Sequence, residues 1–175
     1  RKYFQNFAYR KNSAEALTDK DIPNIWKEFI RYHTSYSFVK ELYNVFGEDI
    51  VRQYPPMKNN YLQDHHCGIR YLEKKDFNLD TQFVINTPVE YESTVIEPHL
   101  DNPVEFFAGL LYMRNPDDDS NGGNLCTYKF KKNPIFYGKS RVKNKNVKLI
   151  EEIEYKPNRL VLFINTLHSL HGVTN

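Results

Sequence analysis

The sequence predicts a mainly β fold with N-terminal helices, and three observations carry that reading. Beyond residue 80, short apolar segments of strand length alternate with turn-forming clusters. Before residue 50, apolar residues recur at helical spacing. Aromatic residues make up 15% of the chain, with 13 Tyr and 12 Phe, a composition suited to the pleated surfaces of sheets. At 175 residues and 40% hydrophobic content the chain can bury a core as one domain, and its length requires no second one. The expectation is a single domain over residues 1–175, with a helical buttress over 21–47 and a β core over 80–175.

The helical part begins where Asp21 can cap a helix and Pro23 can occupy the first turn without losing a needed hydrogen bond. Ile22, Ile25, Trp26, Phe29 and Ile30 then fall on one stripe. A second helix follows Ser35, with Phe38, Leu42 and Phe46 at intervals of four and Gly47 placed to cap its C-terminus. Both helices are expected to cover a sheet, with Trp26 in the core. The adjacent Pro55 and Pro56 break any helix and demand an extended or turning connection.

Strands are predicted over residues 83–85, 94–97, 106–113, 125–130, 147–153 and 160–164. Residues 106–113 are apolar on both faces, which predicts a central strand. The stretch 115–124, rich in Pro, Asp, Ser and Gly, is a turn. Strands punctuated by turns and preceded by helices fit a jelly roll with a helical layer, and periodicity alone leaves an immunoglobulin-like sandwich open.

With 24 Lys and Arg against 22 Asp and Glu, the formal net charge is only +2. Basic residues concentrate only over 129–132 and 141–148, short of the dense stripe of a nucleic-acid binder. Neither a leader sequence nor a run of 18 apolar residues is visible, so the expectation is a soluble, cytoplasmic or otherwise intracellular protein without a membrane partner. Cys67 and Cys126 cannot build a multi-bridge framework and are expected to be reduced.

The chemistry-bearing pattern is His99 and Asp101 astride Leu100. In extended backbone, residues i and i+2 face the same side with α carbons about 6 to 7 Å apart, within reach of one cation. Alone, such a pair more often means a surface histidine beside a turn carboxylate. A third nitrogen from His168 or His171, beyond the 160–164 strand, would complete a two-histidine, one-carboxylate triad of the kind that suits non-haem Fe(II) and leaves positions open. The "DHHC" at residues 64–67 lacks a second ligand cluster and is read as a loop or pocket rim. Asp117, Asp118 and Asp119 lack EF-hand spacing, and Gly122–Gly123 lacks the lysine and helix of a phosphate loop.

The stretch "EPHLDNPVEFFAGLLYMRNPDDDSNGGNLCTYKF" followed by "PNRLVLFINTLHSLHGVTN" resembles the iron and 2-oxoglutarate dependent dioxygenases, in particular their prolyl-hydroxylase-like branch. The family's first histidine and its aspartate fall on His99 and Asp101, its glycine pair on Gly122 and Gly123, its apolar strand on residues 160–164 with Phe163 central, and its distal histidine on His171. The resemblance covers roughly residues 82–175. It implies a double-stranded β-helix, or cupin-like barrel, in which His99, Asp101 and His171 hold Fe(II) and 2-oxoglutarate chelates it. It further implies dioxygen as co-reactant, ascorbate as supporting reductant, succinate and carbon dioxide as products, and hydroxylation of a C–H bond on a small molecule or protein side chain. His171 is preferred to His168 because Gly172 and Val173 follow it and the small glycine is expected to leave room beside the metal.

The family's basic anchor for the far carboxylate of 2-oxoglutarate lies several positions beyond the distal histidine and is expected past Asn175. Within the chain, Lys129 and Tyr112 are the cosubstrate-binding candidates, with Arg70, Arg114 and Arg159 as other donors. Asn86, Thr127 and Asn165 are polar residues near strand ends that could line a pocket. The alternatives are a cupin-like metal enzyme that does not use 2-oxoglutarate and a non-catalytic barrel that binds sugar or peptide.

Overall fold

The computed structural model describes residues 7–57, 66–87, 98–133 and 141–174. The protein is mainly β with a few helices. It divides into two compact units, Arg1–Thr87 and Pro88–Asn175. The strand expected over 94–97 lies outside the described residues, as do Asp64 and His65.

In the first unit, β1 (Ala8–Lys11) and β4 (Phe83–Asn86) pair antiparallel, with Lys11 opposite Phe83. Helix α1 (Ser13–Thr18) opens on a capping box: the Asn12 side chain accepts from the Glu15 N–H and the Glu15 carboxylate accepts from the Asn12 N–H. The Ser13 N–H and hydroxyl bond the Asp80 carboxylate and the Thr81 carbonyl, fastening the helix beside β4. Neither β1 nor α1 was expected, because four strand residues and six helical ones are too few to show a period.

Helix α2 (Asn24–His33) is capped at Pro23 rather than Asp21. Asp21 lies two residues too early, and its N–H donates to the Asp19 carboxylate instead. Trp26 packs edge-to-face on Phe29 and on Phe83 of β4, each at 5.6 Å between ring centroids. Trp26 thus covers the β1–β4 ribbon as core packing requires. Ile30 is fully buried but Ile25 is 69% exposed, so the apolar stripe is narrower than the spacing suggested.

Ser35 caps α3 (Tyr36–Gln53), accepting from the Phe38 N–H. The expected stop at Gly47 does not occur. The helix runs two turns further, because Ile50, fully buried, extends the stripe of Val39 and Leu42, and burying it outweighs about 1 kcal/mol of glycine's unfavourable helix propensity. The proline pair ends the helix in a 3-10 turn, Pro55–Met57. A short parallel pair, β2 (Cys67–Ile69) and β3 (Phe77–Leu79), completes this unit.

The second unit contains two ladders. In one, β5 (Phe107–Tyr112) runs antiparallel to β8 (Arg159–Ile164). Among the described residues β5 has this single neighbour, and Leu110 and Leu160 are exposed, so β5 is not the central strand its apolar sequence suggested. In the other, the order is β7 (Val147–Ile153), β6 (Leu125–Phe130), β9 (His171–Val173). No closed barrel occurs among the described residues.

Gly122 and Gly123 lead into β6 with φ of 87° and 74°, a left-handed turn that favours glycine at both positions. Arg114 organises the preceding turn. Its guanidinium donates to the carbonyls of Asp118, Ser120 and Tyr155, pairs with the Asp118 carboxylate at 3.3 Å and lies over the Tyr155 ring. Cys67 and Cys126 are separate free thiols. Among the described residues no helix is long and apolar enough to cross a membrane.

Candidate metal centre

The β7–β6–β9 sheet continues by single bridges onto two further segments. His99 pairs antiparallel with His171 and, on its other side, with Arg141. The His99 N–H donates to the His171 carbonyl at 2.8 Å, the His171 N–H donates back at 3.0 Å, and the Val142 N–H donates to the Pro98 carbonyl at 2.7 Å. On β6, Thr127 stands opposite His171 and also opposite Glu151. Directly paired residues share one face of a sheet. Arg141, His99, His171, Thr127 and Glu151 therefore form one row across five neighbouring chain segments. The opposite face carries the core: Leu100, Val147 and Leu170 are buried there, packed by Tyr128, Phe130 and Val142.

Asp101, two residues beyond His99 on the same side, closes the site. Its Oδ1 lies 3.6 Å from His99 Nε2 and 3.7 Å from His171 Nε2, and one donor atom from each of the three residues falls within 4.8 Å of the others. Ligands at about 2.1 Å from one cation, at right angles, stand about 3 Å apart. Reaching that spacing from separations of up to 4.8 Å takes side-chain rotations that close the widest gap by about 2 Å. All three side chains are mostly buried, with exposures of 18%, 23% and 10% for His99, Asp101 and His171.

The chemistry of the donors fits a metal. His171 Nδ1 lies 2.9 Å from the Ser169 carbonyl. A carbonyl only accepts, so Nδ1 carries the proton and Nε2, the atom facing Asp101, presents its lone pair. The His171 ring is packed by His99 at 4.4 Å and by Phe163 of β8 at 4.9 Å between centroids, which holds its plane. His168 is exposed and outside this group. The reason given for preferring His171, room left by Gly172, does not hold. Gly172 pairs with Cys126 on the opposite face, and a Cβ there would make ordinary contact with Pro98 and Tyr128.

Asn165 is the residue that sequence reasoning undervalued. It is buried, and its amide donates to the Asn102 and Glu105 carbonyls at 2.9 and 2.8 Å while its Oδ1 accepts from the Ser169 hydroxyl at 3.1 Å. It thereby ties the segment just after Asp101 to Ser169, whose carbonyl sets the His171 tautomer. Arg141 was noticed only as part of a basic run, since nothing in a linear sequence announces a one-residue bridge.

The remaining candidates scatter. Tyr112 shares a face of β5–β8 with Phe163 but stands four positions along the strand from Ala108, Phe163's partner. Its ring meets Tyr155 edge-to-face at 5.0 Å, and burial pushes its hydroxyl pKa up. Arg70 lies over Tyr71 in the first unit, Arg114 holds its turn, and Arg159 donates to the Glu154 carbonyl. Asn86 pairs with Ala8 in the first unit. Lys129 is exposed on β6, two residues from Thr127 and on the same face. His66 bonds Asp76 through its backbone, and Asp117, Asp118 and Ser120 form side-chain-closed turns, as loop roles require.

Compared with protein-family models, curated proteins and solved structures, the chain has no match.

Proposed function

We propose that this protein is an Fe(II)- and 2-oxoglutarate-dependent dioxygenase that hydroxylates a C–H bond, built on a double-stranded β-helix. The observation that carries the reading is the His99, Asp101 and His171 group, two imidazole nitrogens and one carboxylate on a single sheet face. That is the donor set of a facial triad, which occupies one side of an iron and leaves the other open. The ordered resemblance of the flanking sequence supports it.

Iron and 2-oxoglutarate, when bound, supply the oxidising chemistry, decarboxylation to succinate coupled to dioxygen activation. The chain does the rest. Asp101 contributes the single negative charge that offsets the cation. The Ser169 carbonyl accepts from His171 Nδ1, which turns the Nε2 lone pair toward the site. The His99–His171 bridge fixes the distance between two ligands through the backbone rather than through flexible side chains. Arg141, opposite His99 with no ion pair among the described residues, is placed to meet a cosubstrate carboxylate, for which a guanidinium fork is well matched.

The test is to load the reduced protein with Fe(II) and measure succinate from 2-oxoglutarate, which forms slowly without the true substrate. One bound iron and succinate that disappears in Asp101→Ala are expected. A folded, iron-loaded protein that neither binds 2-oxoglutarate nor forms succinate would favour the cupin-like alternative.

A further inference from the structure

Beside the triad the sheet carries an electrostatic feature that folding alone does not explain. Lys129 of β6 stands directly opposite Lys148 of β7, and like charges in that position weaken a sheet. Neither lysine forms an ion pair among the described residues. The carboxylates of β7, Glu151 and Glu152, lie toward the other end of the strand, where Glu151 faces Thr127. Lys129 also lines a recess of about 300 Å³ with Phe130, Lys131, Lys132, Asn133 and His168. That volume is at the small end of ligand sites. The Lys131 ammonium is tied to the Lys145 carbonyl at 2.9 Å, so part of this positive wall is held in place.

The recess is not remote from the metal centre. His168 is three residues before His171, and Lys129 is two residues from Thr127, His171's partner, on the face that bears the triad. Two strand residues span about 7 Å. A molecule with an anionic group among the lysines and a carbon toward the triad would be a small one, about 8 to 12 Å from charge to reacting position by the same spacing.

We propose that the recess lined by Lys129, Lys131 and Lys132, with Lys148 paired across the sheet from Lys129, binds the anionic end of the substrate, so that the substrate acted on at His99, Asp101 and His171 is a small molecule bearing a carboxylate or phosphate. The inference rests on the dioxygenase reading for the word substrate, and on the recess alone for the anion.

Two measurements separate these. The first is calorimetric titration of the metal-free protein at low salt with inorganic phosphate and, separately, with the tricarboxylate tricarballylate. One-to-one binding of at least one is expected, weakened tenfold or more in the folded Lys129→Glu, Lys148→Glu variant, with Lys129→Gln, Lys148→Gln as a milder pair should the first not fold. The stronger ligand distinguishes phosphate from carboxylate. Unchanged affinity in the variants, or binding only of a polymeric anion such as polyglutamate, overturns the proposal.

The second is nuclear relaxation of whichever of the two ligands binds, phosphorus-31 for inorganic phosphate or proton for tricarballylate, in the presence of protein loaded with Mn(II). Enhancement matching a separation near 10 Å between the metal and the ligand's observed nuclei, about the distance the strand spacing gives, lost in His171→Ala and in the lysine variants, is the expected result. Enhancement at direct-coordination distance, or none despite bound Mn(II), detaches the recess from the metal centre and overturns the substrate assignment. Retained phosphate binding in a protein that takes up no metal overturns the dioxygenase reading and, with it, the substrate assignment, leaving an anion site only.

Discussion

Replacing Asn165 with alanine removes two donated hydrogen bonds and one accepted one from a buried position. Net hydrogen bonds contribute about 1 kcal/mol each, and a buried group left unpaired costs about 1 to 3 kcal/mol. The Asn102 and Glu105 segment is exposed and its carbonyls can recover water, whereas the Ser169 hydroxyl keeps the Thr166 carbonyl as an acceptor. The expected loss is therefore about 2 to 3 kcal/mol rather than the full sum. The effect on metal affinity follows from what Asn165 joins. Freed from it, the Asp101 segment and the Ser169 carbonyl no longer share a support, and loss of such outer partners lowers metal affinity on the order of ten- to a hundredfold. Asn165→Asp keeps the shape but turns a carboxylate oxygen toward two carbonyl oxygens, so at neutral pH it should destabilise more than alanine. Urea unfolding and Fe(II) titration of both variants read the two effects. Native affinity within twofold and stability within about 0.5 kcal/mol for Asn165→Ala, the scatter of ordinary surface substitutions, would show that the ligands are positioned by other means.

Asp101→Ala and His171→Ala should each remove most specific iron binding in a folded protein, while His168→Ala should leave a metal-edge spectrum unchanged; loss of iron in His168→Ala with retention in His171→Ala would reassign the third ligand. Burial, with a Cys126 side-chain contact second, raises the Tyr128 hydroxyl to about 12, and the ordinary value is near 10. The folded state thus holds this proton more tightly, so the stability it contributes is complete below pH 10 and is lost as pH rises from 10 through about 12. Tyr128→Phe should flatten that part of an alkaline unfolding profile, and an ultraviolet titration midpoint for Tyr128 near 10 in the folded protein would contradict the assignment.

Strands β6 and β7 match the sequence prediction because each combines strand-forming residues with a clear turn on either side. The grouping of His99, Asp101 and His171 was legible through the order of short motifs along the chain, and the fold brings His171 rather than His168 to it, though not through the room expected beside Gly172. What sequence could not show depends on pairing between distant segments. The three-residue β9, the single bridge that places Arg141 beside His99 and the Asn165 clasp have no local period or composition. Gly47 misled for the opposite reason: a local stop signal was read correctly, but burial of Ile50 in the tertiary structure overrode it.

The bridge between His99 and His171 joins segments that are far apart along the chain and pair by backbone through only one residue each. Under the proposed metal-binding reading, a cation shared by them would act as a cross-link that closes a loop of roughly 70 residues, a constraint on the unfolded chain of about 4 kcal/mol by the loop-entropy relation used for disulfides. The same magnitude arises when metal is present at about a thousand times its dissociation constant. Ion supply would then govern how often the two segments part. In hydrogen exchange, the His99 and His171 amides, which donate across this junction, should be protected in proportion to metal concentration. Amides in the β1–β4 ribbon of the first unit provide an internal reference.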